Sequence, residues 1–230
     1  MQENQVRQAS KRKTKEKELF ASTRSGSNTV LMTQMAVLIA VSVILGFIHF
    51  PLIPAAPYLE YEFSDIPILI AGLMFGTMPG VVIAVLSILL QDLLAGTSSG
   101  PWGVLMHLIA ALTFLLVSSL IFKLVCKIGY SNLDKKTELT KERIKRSKTK
   151  IDMGAALAGL IVAGICLIIV MIPANLLITP RFLGAPVEAV RELLPVVIIP
   201  FNALKAVINI CVTFAIFAPF YAVVKYVIKK

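Results

Sequence analysis

The chain has 230 residues, of which 57% are hydrophobic and 16% are charged, and its mean hydropathy is +0.83. A soluble domain carries about 25% charged residues, so this composition excludes an ordinary soluble protein and predicts one compact integral membrane domain. The formal net charge of +10 would suit a nucleic-acid-binding protein, but the basic residues cluster beside apolar segments, which predicts no nucleic-acid partner.

The N-terminal part of the chain is predicted to contain a tail and a first membrane helix. Residues 1–28 are basic and lack an apolar core, which is typical of a cytoplasmic tail and not of a cleavable signal peptide. Residues 30–50 are apolar and long enough to cross a bilayer core of about 30 Å. Ala36 and Ala40 form a small-xxx-small pair on this helix, although such a pair alone is more often ordinary helix sequence.

Five further helices are predicted along the chain. Three prolines in residues 51–57 end the first helix, and an amphipathic, aromatic first outer loop follows, with Ser64 or Asp65 capping the next helix. The predicted later helices span about 65–78 (short for a span), 81–94, 104–126, 154–178 and 196–225. A short extra helix is expected around 187–194. A lysine-rich connector at about 127–152 separates the fourth and fifth helices of this all-α membrane domain, residues 29–230.

The distribution of positive charge predicts the orientation. Of the 23 Lys and Arg residues, seven lie in the tail, ten between Lys123 and Lys150, and three from Lys225 onward. Cytoplasmic segments of membrane proteins carry an excess of Lys and Arg. Six spans would place both termini and the 127–152 loop on this basic face, in the cytoplasm, with the domain in the cell membrane and anionic lipid against its charges.

Two predicted spans carry the same motif, a proline followed two residues later by an asparagine. These are Pro173 with Asn175 in the fifth span and Pro200 with Asn202 in the sixth. A proline inside a helix frees the carbonyl four residues earlier and kinks the chain. Because the fifth helix runs outward and the sixth inward, both amides are predicted to face one opening in the outer half.

Lys205 follows Asn202 on the same helical face, one turn deeper. A lysine inside a span costs about 2.5–3.5 kcal/mol on insertion scales, so its presence indicates a function. Two amides that donate and accept, with one ammonium that donates, suit a flat heterocycle with alternating carbonyl and N–H groups, or a carboxylate. The alternative is that Asn175 and Asn202 only hydrogen-bond between helices. Asn209, a further turn inward, is assigned such a packing role.

Enzyme chemistry is not indicated. The chain contains no P-loop and no HExxH motif, so we predict a protein that is not an enzyme and whose energy comes from a gradient or a partner. His49 and His107 lack a plausible set of metal co-ligands, and His107 is interpreted as a hydrogen-bonded helix residue. No metal site and no cofactor are predicted.

Five stretches resemble the riboflavin-specific substrate-binding (S) component, the RibU type, of energy-coupling factor (ECF) vitamin transporters. They are residues 54–59, 63–69, 171–176, 179–180 and 199–205. The Ser-Asp-x-Pro element at 64–67 is shared by several S components and is weakly specific, whereas the paired Pro-x-Asn motifs with Lys205 are much more specific for the riboflavin branch. The resemblance covers roughly residues 30–225 and implies six helices around an outward-facing vitamin pocket.

The resemblance also implies roles for individual residues and partners. Asn175, Asn202 and Lys205 would hydrogen-bond the pyrimidinedione edge of riboflavin, which is a transported ligand and not a cofactor. The first outer loop would cover the site, through Tyr58, Leu59, Glu60 and Tyr61. Ala36 and Ala40 would dock against the transmembrane coupling (T) component, and two cytoplasmic ATPases would supply the energy while the S component tilts in the membrane.

Three alternatives differ from this prediction. The first is an S component for another vitamin or for a flavin analogue such as FMN. The phosphate of FMN would need more than one outward cation near the pocket, and only Arg181 and Arg191 are candidates beside Lys205. A membrane-embedded enzyme would need a nucleophile and base within the spans. A gradient-driven carrier would need an acid inside a span, whereas Asp65 and Asp92 lie at predicted helix ends, where cap and loop roles are expected.

Overall fold

A computed structural model of the protein describes residues 29–54, 56–95, 100–134 and 141–227, so the predicted tail at 1–28 lies outside the described residues. The elements are a set of helices and one β-hairpin: α1 (Thr29–Gly46), β1 (His49–Pro51), β2 (Glu60–Glu62), α2 (Asp65–Met74), α3 (Thr77–Ala95), α4 (Gly100–Asp134), α5 (Lys141–Leu183), α6 (Val187–Leu193), a π-helical segment (Leu194–Ile198) and α7 (Ile199–Val227). The chain divides into a unit that ends at Val37 and one that begins at Leu38, and the cavity lies in the second unit.

The predicted all-α fold of six helices is confirmed when α6, the π-helical segment and α7 are taken as one continuous helix. Five of the six are long and apolar enough to cross a membrane. The exception is α2, whose ten residues extend about 15 Å at 1.5 Å per residue, roughly half of a bilayer core. The second helix therefore ends at Met74, four residues earlier than the predicted end at about 78.

The two ends of the short helix α2 each lie beside a lysine contact. Its first residue, Asp65, lies beside Lys205, with 3.0 Å between Oδ2 and Nζ. Just beyond its other end, the Thr77 hydroxyl accepts a hydrogen bond from Lys123 Nζ at 2.9 Å. The helix therefore connects the level of Lys205 to the part of α4 around Lys123.

Most of the lysine-rich connector is helical, because α4 continues to Asp134 and α5 already begins at Lys141. Lys, Arg and Glu are good helix formers in water, so charge ends the apolar stretch without ending the helix. The buried Asp152 carboxylate accepts hydrogen bonds from the hydroxyls of Tyr130 in α4 and Tyr221 in α7. These bonds hold α4, α5 and α7 together at the basic end.

Two local features differ from the sequence-based expectation. The first helix ends at Gly46, and His49–Pro51 pairs antiparallel with Glu60–Glu62, with Phe50 opposite Tyr61. The sixth helix contains a π-helical segment between α6 and α7, in which the Ile199 N–H bonds to the Leu194 carbonyl. Pro200 has no N–H to continue the regular helical hydrogen bonds, and the hydrogen-bond register changes just before it. Such π-helical segments are frequent at functional sites.

Candidate functional site

A cavity of about 460 Å³ lies between the hairpin and helices α3, α4, α5 and α7. This volume falls within the range of about 300–1,000 Å³ that small-molecule sites occupy. The lining combines apolar side chains such as Ile88 and Phe201 with a set of amides, carboxylates, an ammonium and two imidazoles. A cavity of this kind suits a ligand that is largely apolar and carries polar groups on more than one edge.

The structure brings Asn175, Asn202 and Lys205 to one wall of this cavity. All three side chains are buried, at 1%, 2% and 7% exposure for the residues. Asn202 and Lys205 lie three residues apart on α7, so they share a helical face, and α5 contributes Asn175. We name this set the amide-lysine wall.

Each asparagine amide bonds within its own helix. Asn175 Nδ2 donates to the Met171 carbonyl and Asn202 Nδ2 to the Ile198 carbonyl, both at 2.8 Å. Asn175 Oδ1 accepts from Thr179 at 2.9 Å. Among the described residues, the buried Asn202 Oδ1 has no hydrogen-bond partner. In the part of the chain that the structure describes, the two amides therefore do not show the interhelical bonding that was the alternative to a ligand role, and Asn202, which lines the cavity, keeps one buried acceptor unpaired.

Lys205 is held by Asp65, whose carboxylate lies 3.0 Å from Nζ. The two side chains are only 8% and 4% exposed. Of the two residues expected to cap α2, Ser64 occupies the cap position, without a side-chain cap bond. Asp65 is not the cap, and its carboxylate points to Lys205 on α7. An opposite charge and hydrogen bonds compensate the cost of burying the lysine.

Further donors complete the surroundings of Asp65. Asn209 Nδ2 donates to Oδ2 at 3.1 Å, and Tyr61 donates its hydroxyl to Asn209 Oδ1 at 2.8 Å. Asn209 thus has the packing role expected from its depth. The His107 ring lies between two carboxylates, with Nε2 3.1 Å from Asp65 Oδ1 and Nδ1 3.4 Å from Glu62 Oε2, so His107 is hydrogen-bonded as predicted.

The first outer loop divides between the cavity and the core. Tyr58, Leu59 and Glu60 line the cavity, as expected of covering residues, and burial raises the pKa of the Tyr58 hydroxyl. Tyr61 is placed elsewhere: it is fully buried and its hydroxyl bonds Asn209. Neighbouring strand residues face opposite sides, so Glu60 and Glu62 face the cavity while Tyr61 faces inward.

The aromatic residues around Tyr61 pack on one another. The rings of Tyr61 and Phe63 meet edge to face with centroids 5.1 Å apart, and Phe50 lies 5.9 Å from Tyr61. Burial, followed by the nearby Asp65 charge, raises the pKa of the Tyr61 hydroxyl well above its usual range. This hydroxyl therefore remains a donor at neutral pH, and Tyr61 packs in this aromatic cluster and is not among the residues that line the cavity.

Sequence reasoning did not single out the polar residues contributed by α3. Gln91 and Asp92 line the cavity with Ile88, a spacing of three and four residues that marks one helical face and was available in the sequence. Gln91 Nε2 donates to Glu62 Oε2 at 2.6 Å and to the Gly46 carbonyl at 3.3 Å. A Cβ on Gly46 would lie 2.2 Å from the end of the Gln91 side chain, so a larger residue at this position would displace the Gln91 amide.

The remaining predicted residues lie away from the cavity. Ala36 and Ala40 are both exposed on α1, as a residue that contacts a partner in a complex would be. Within the described ranges, no group of three or more His, Cys, Asp or Glu side chains is arranged to hold a metal ion.

Part of this chain is similar in sequence to bacterial proteins named as riboflavin transporters. The riboflavin transporter RibU of Staphylococcus aureus is 36% identical over 90 residues, which cover 39% of this chain and 46% of that protein. The riboflavin transporter FmnP of Bacillus subtilis is 30% identical over 90 residues, covering 39% and 47%. The chain thus matches just under half the length of these curated relatives.

Solved structures and a family description extend the match. A structure described as the S component of a bacterial ECF transporter superposes with a TM-score of 0.64 at 26% identity, covering 86% of this chain and 99% of that one. ThiT from Listeria monocytogenes has the same fold, with a TM-score of 0.56 at 17% identity over 84% and 93% of the chains. The family "ECF transporter, substrate-specific component" matches residues 30–217, and this chain belongs to that family.

Proposed function

We propose that this protein captures riboflavin from outside the cell and delivers it inward as the substrate-binding subunit of an ECF transporter. The observation that carries the proposal is the amide-lysine wall, with the unpaired Asn202 Oδ1 beside Lys205 in a cavity of suitable size. The pyrimidinedione edge of a flavin alternates carbonyl and N–H groups. Its N–H would donate to Asn202 Oδ1, and its carbonyls would accept from Lys205 and an amide N–H.

The contact between Lys205 and Asp65 is compatible with binding of a flavin by Lys205. Lys205 has three N–H donors, so its contact with Asp65 leaves donors for a ligand carbonyl. The same contact holds the ammonium at the cavity wall, which limits the entropy lost when a ligand binds. Tyr58, Leu59 and Glu60 would cover the ligand from the hairpin side. Tyr61 is not included in the proposed ligand contacts, because its hydroxyl is committed to Asn209.

The orientation and partners form the second part of the proposal. The basic ends of α4 and α5 would lie in the cytoplasm with both termini, which leaves the cavity accessible from outside. Ala36 and Ala40 would pack against the T component, and two ATPases attached to it would drive delivery. The small side chains would let a partner helix approach closely, and their exposure supports this assignment.

Purification tests the proposed substrate directly. Protein produced in cells supplied with riboflavin is expected to be yellow, and ligand-free protein should quench riboflavin fluorescence on titration. FMN and thiamine serve as competitors at equal concentration, and neither should displace riboflavin as well as unlabelled riboflavin does. A colourless protein that leaves riboflavin fluorescence unchanged would reject the assignment, and preferential binding of thiamine would assign another vitamin.

A further inference from the structure

A second cavity, of about 430 Å³, lies at the basic end of the protein, where α2, α4, α5 and α7 meet. Its volume falls within the range of small-molecule sites, and none of the residues that line it lines the first cavity. We name it the tyrosine-lysine cavity after Lys123, Lys127, Tyr130 and Tyr221, which are among its lining residues. The proposed transport of riboflavin gives this cavity no role.

The carboxylate in the tyrosine-lysine cavity already has hydrogen-bond donors. Asp152 is 1% exposed, and it accepts hydrogen bonds from the hydroxyls of Tyr130 and Tyr221. Cys126 Sγ lies 3.6 Å from the same carboxylate. Buried polar groups are normally paired in this way, so Asp152 serves the packing of α4, α5 and α7, and the cations of the cavity remain for a ligand.

Two lysines of α4 supply the positive charge of the cavity. Lys123 and Lys127 are four residues apart on one helical face, and both are exposed. Lys123 Nζ donates to the Thr77 hydroxyl at 2.9 Å, but among the described residues no acidic side chain forms an ion pair with either lysine. Lys148 of α5 adds a third positive charge nearby, because its Nζ lies 5.3 Å from the centroid of the Tyr130 ring. An anionic group is therefore attracted to this cavity.

Apolar surface continues from the cavity along α2 and α4. Leu73, Met74 and Phe122 line the cavity, and Leu120 and Leu124, beside the lysines on α4, are 55% and 53% exposed. Because α4 is long and apolar enough to cross a membrane, these leucines face acyl chains. A lysine stem lies along such apolar surface while its ammonium reaches the level of the headgroups. The matching ligand is therefore amphipathic, with an anionic group beside an apolar chain.

We propose that the tyrosine-lysine cavity binds the phosphate of an anionic membrane lipid, whose acyl chains lie along α2 and α4. Lys123 and Lys127 would donate hydrogen bonds to the phosphate oxygens. Basic pockets between membrane helices on the cytoplasmic side bind anionic headgroups, and the inference rests on the proposed orientation, which places this end of the protein there. The bound lipid would join the end of α2 to α4 at a distance from the flavin cavity.

Short-chain lipids test this site on the full-length protein in detergent. Dioctanoyl phosphatidylglycerol carries a net negative charge, dioctanoyl phosphatidylcholine carries the same chains without net charge, and inorganic phosphate carries the charge without chains. The rise of Tm with the concentration of each gives an apparent Kd. The variants are Lys123→Gln with Lys127→Gln, and Lys127→Glu alone. Arg143→Gln with Lys150→Gln is the matched control, because both are exposed cations of α5 outside the cavity lining.

Phosphatidylglycerol should raise the Tm of the wild type at concentrations at which phosphatidylcholine and inorganic phosphate have little effect. The double variant and Lys127→Glu should each bind phosphatidylglycerol at least about tenfold more weakly, while the control stays within about twofold of the wild type. Without lipid, the Tm of every variant should lie within about 2 °C of the wild-type value, because these exposed lysines have no ionic partner to lose.

Four results would overturn the inference. Equal effects of the two lipids would show that the cavity does not recognise charge, and an equal effect of inorganic phosphate would assign an anion site that is not a lipid site. An equal loss in the control would assign the attraction to the whole basic surface. If the wild type shows no lipid preference but Lys127→Glu loses the T component on co-purification, the cavity binds an acidic segment of that partner instead. Riboflavin titration of the same samples tests the proposed function separately, because the two cavities share no lining residue.

Discussion

Replacing Lys205 by Met should affect both stability and flavin binding, and the two effects can be separated. The substitution leaves the Asp65 carboxylate, 4% exposed, without its ionic partner. Removing one partner of a buried ion pair costs about 3–5 kcal/mol. His107 and Asn209 still contact the carboxylate, so we expect the lower end, about 3 kcal/mol. For a chain of this length that corresponds to a Tm lower by about 6–12 °C.

Flavin affinity of Lys205→Met should fall tenfold or more, equivalent to at least about 1.4 kcal/mol of binding energy. The double variant Asp65→Asn with Lys205→Met removes both charges, so most of the Tm should return. Its affinity should stay low, because the donor to the flavin carbonyl is still missing. Thermal unfolding in detergent and riboflavin titration of the same samples measure the two effects, and Arg191→Gln, an exposed cation outside the cavity lining, is the control.

Two results would refute these predictions. A Tm for Lys205→Met equal to the wild-type value would show that the ion pair with Asp65 does not stabilise the fold. Wild-type riboflavin affinity in the double variant would show that Lys205 does not contact the ligand, even if the ion pair is real.

Three further predictions concern other parts of the chain. Asn202→Ala should weaken riboflavin binding by about two- to tenfold, since one hydrogen bond contributes ~0.5–1.5 kcal/mol, with little change in Tm; an unchanged Kd would remove the amide from the site. Tyr61→Phe leaves the buried Asn209 Oδ1 without its donor and should cost about 1–3 kcal/mol of stability at unchanged riboflavin Kd, and a weaker Kd would return Tyr61 to the pocket. Ala36→Trp with Ala40→Trp should abolish co-purification of the T component and ATPases while riboflavin titration stays normal, and intact complexes would place the interface elsewhere.

Several properties of this protein follow from local sequence, because they depend on residues close together in the chain. Hydropathy over about 20 residues identifies helices that can cross a bilayer, and the five long helices lie where the apolar segments are. The proline-asparagine pairs and the spacing from Asn202 to Lys205 are likewise local, so the amide-lysine wall could be predicted before the fold was known. Hydropathy could not show that the charged ends of α4 and α5 are helical, since charged residues form helices in water as readily as loops.

Contacts between distant segments were decided only by the tertiary structure. Asp65 and Lys205 are 140 residues apart in sequence, and no local pattern indicates that the first residue of α2 neutralises the lysine of α7. Tyr61 looked like its neighbours in an aromatic loop, but strand pairing with Phe50 turns alternate side chains to opposite faces. Sequence by itself determined the membrane class, the helices and one wall of the cavity. Tertiary packing decided the ionic partner of Lys205, the face of Tyr61 and the contribution of α3 to the cavity, because burial and pairing depend on which elements meet.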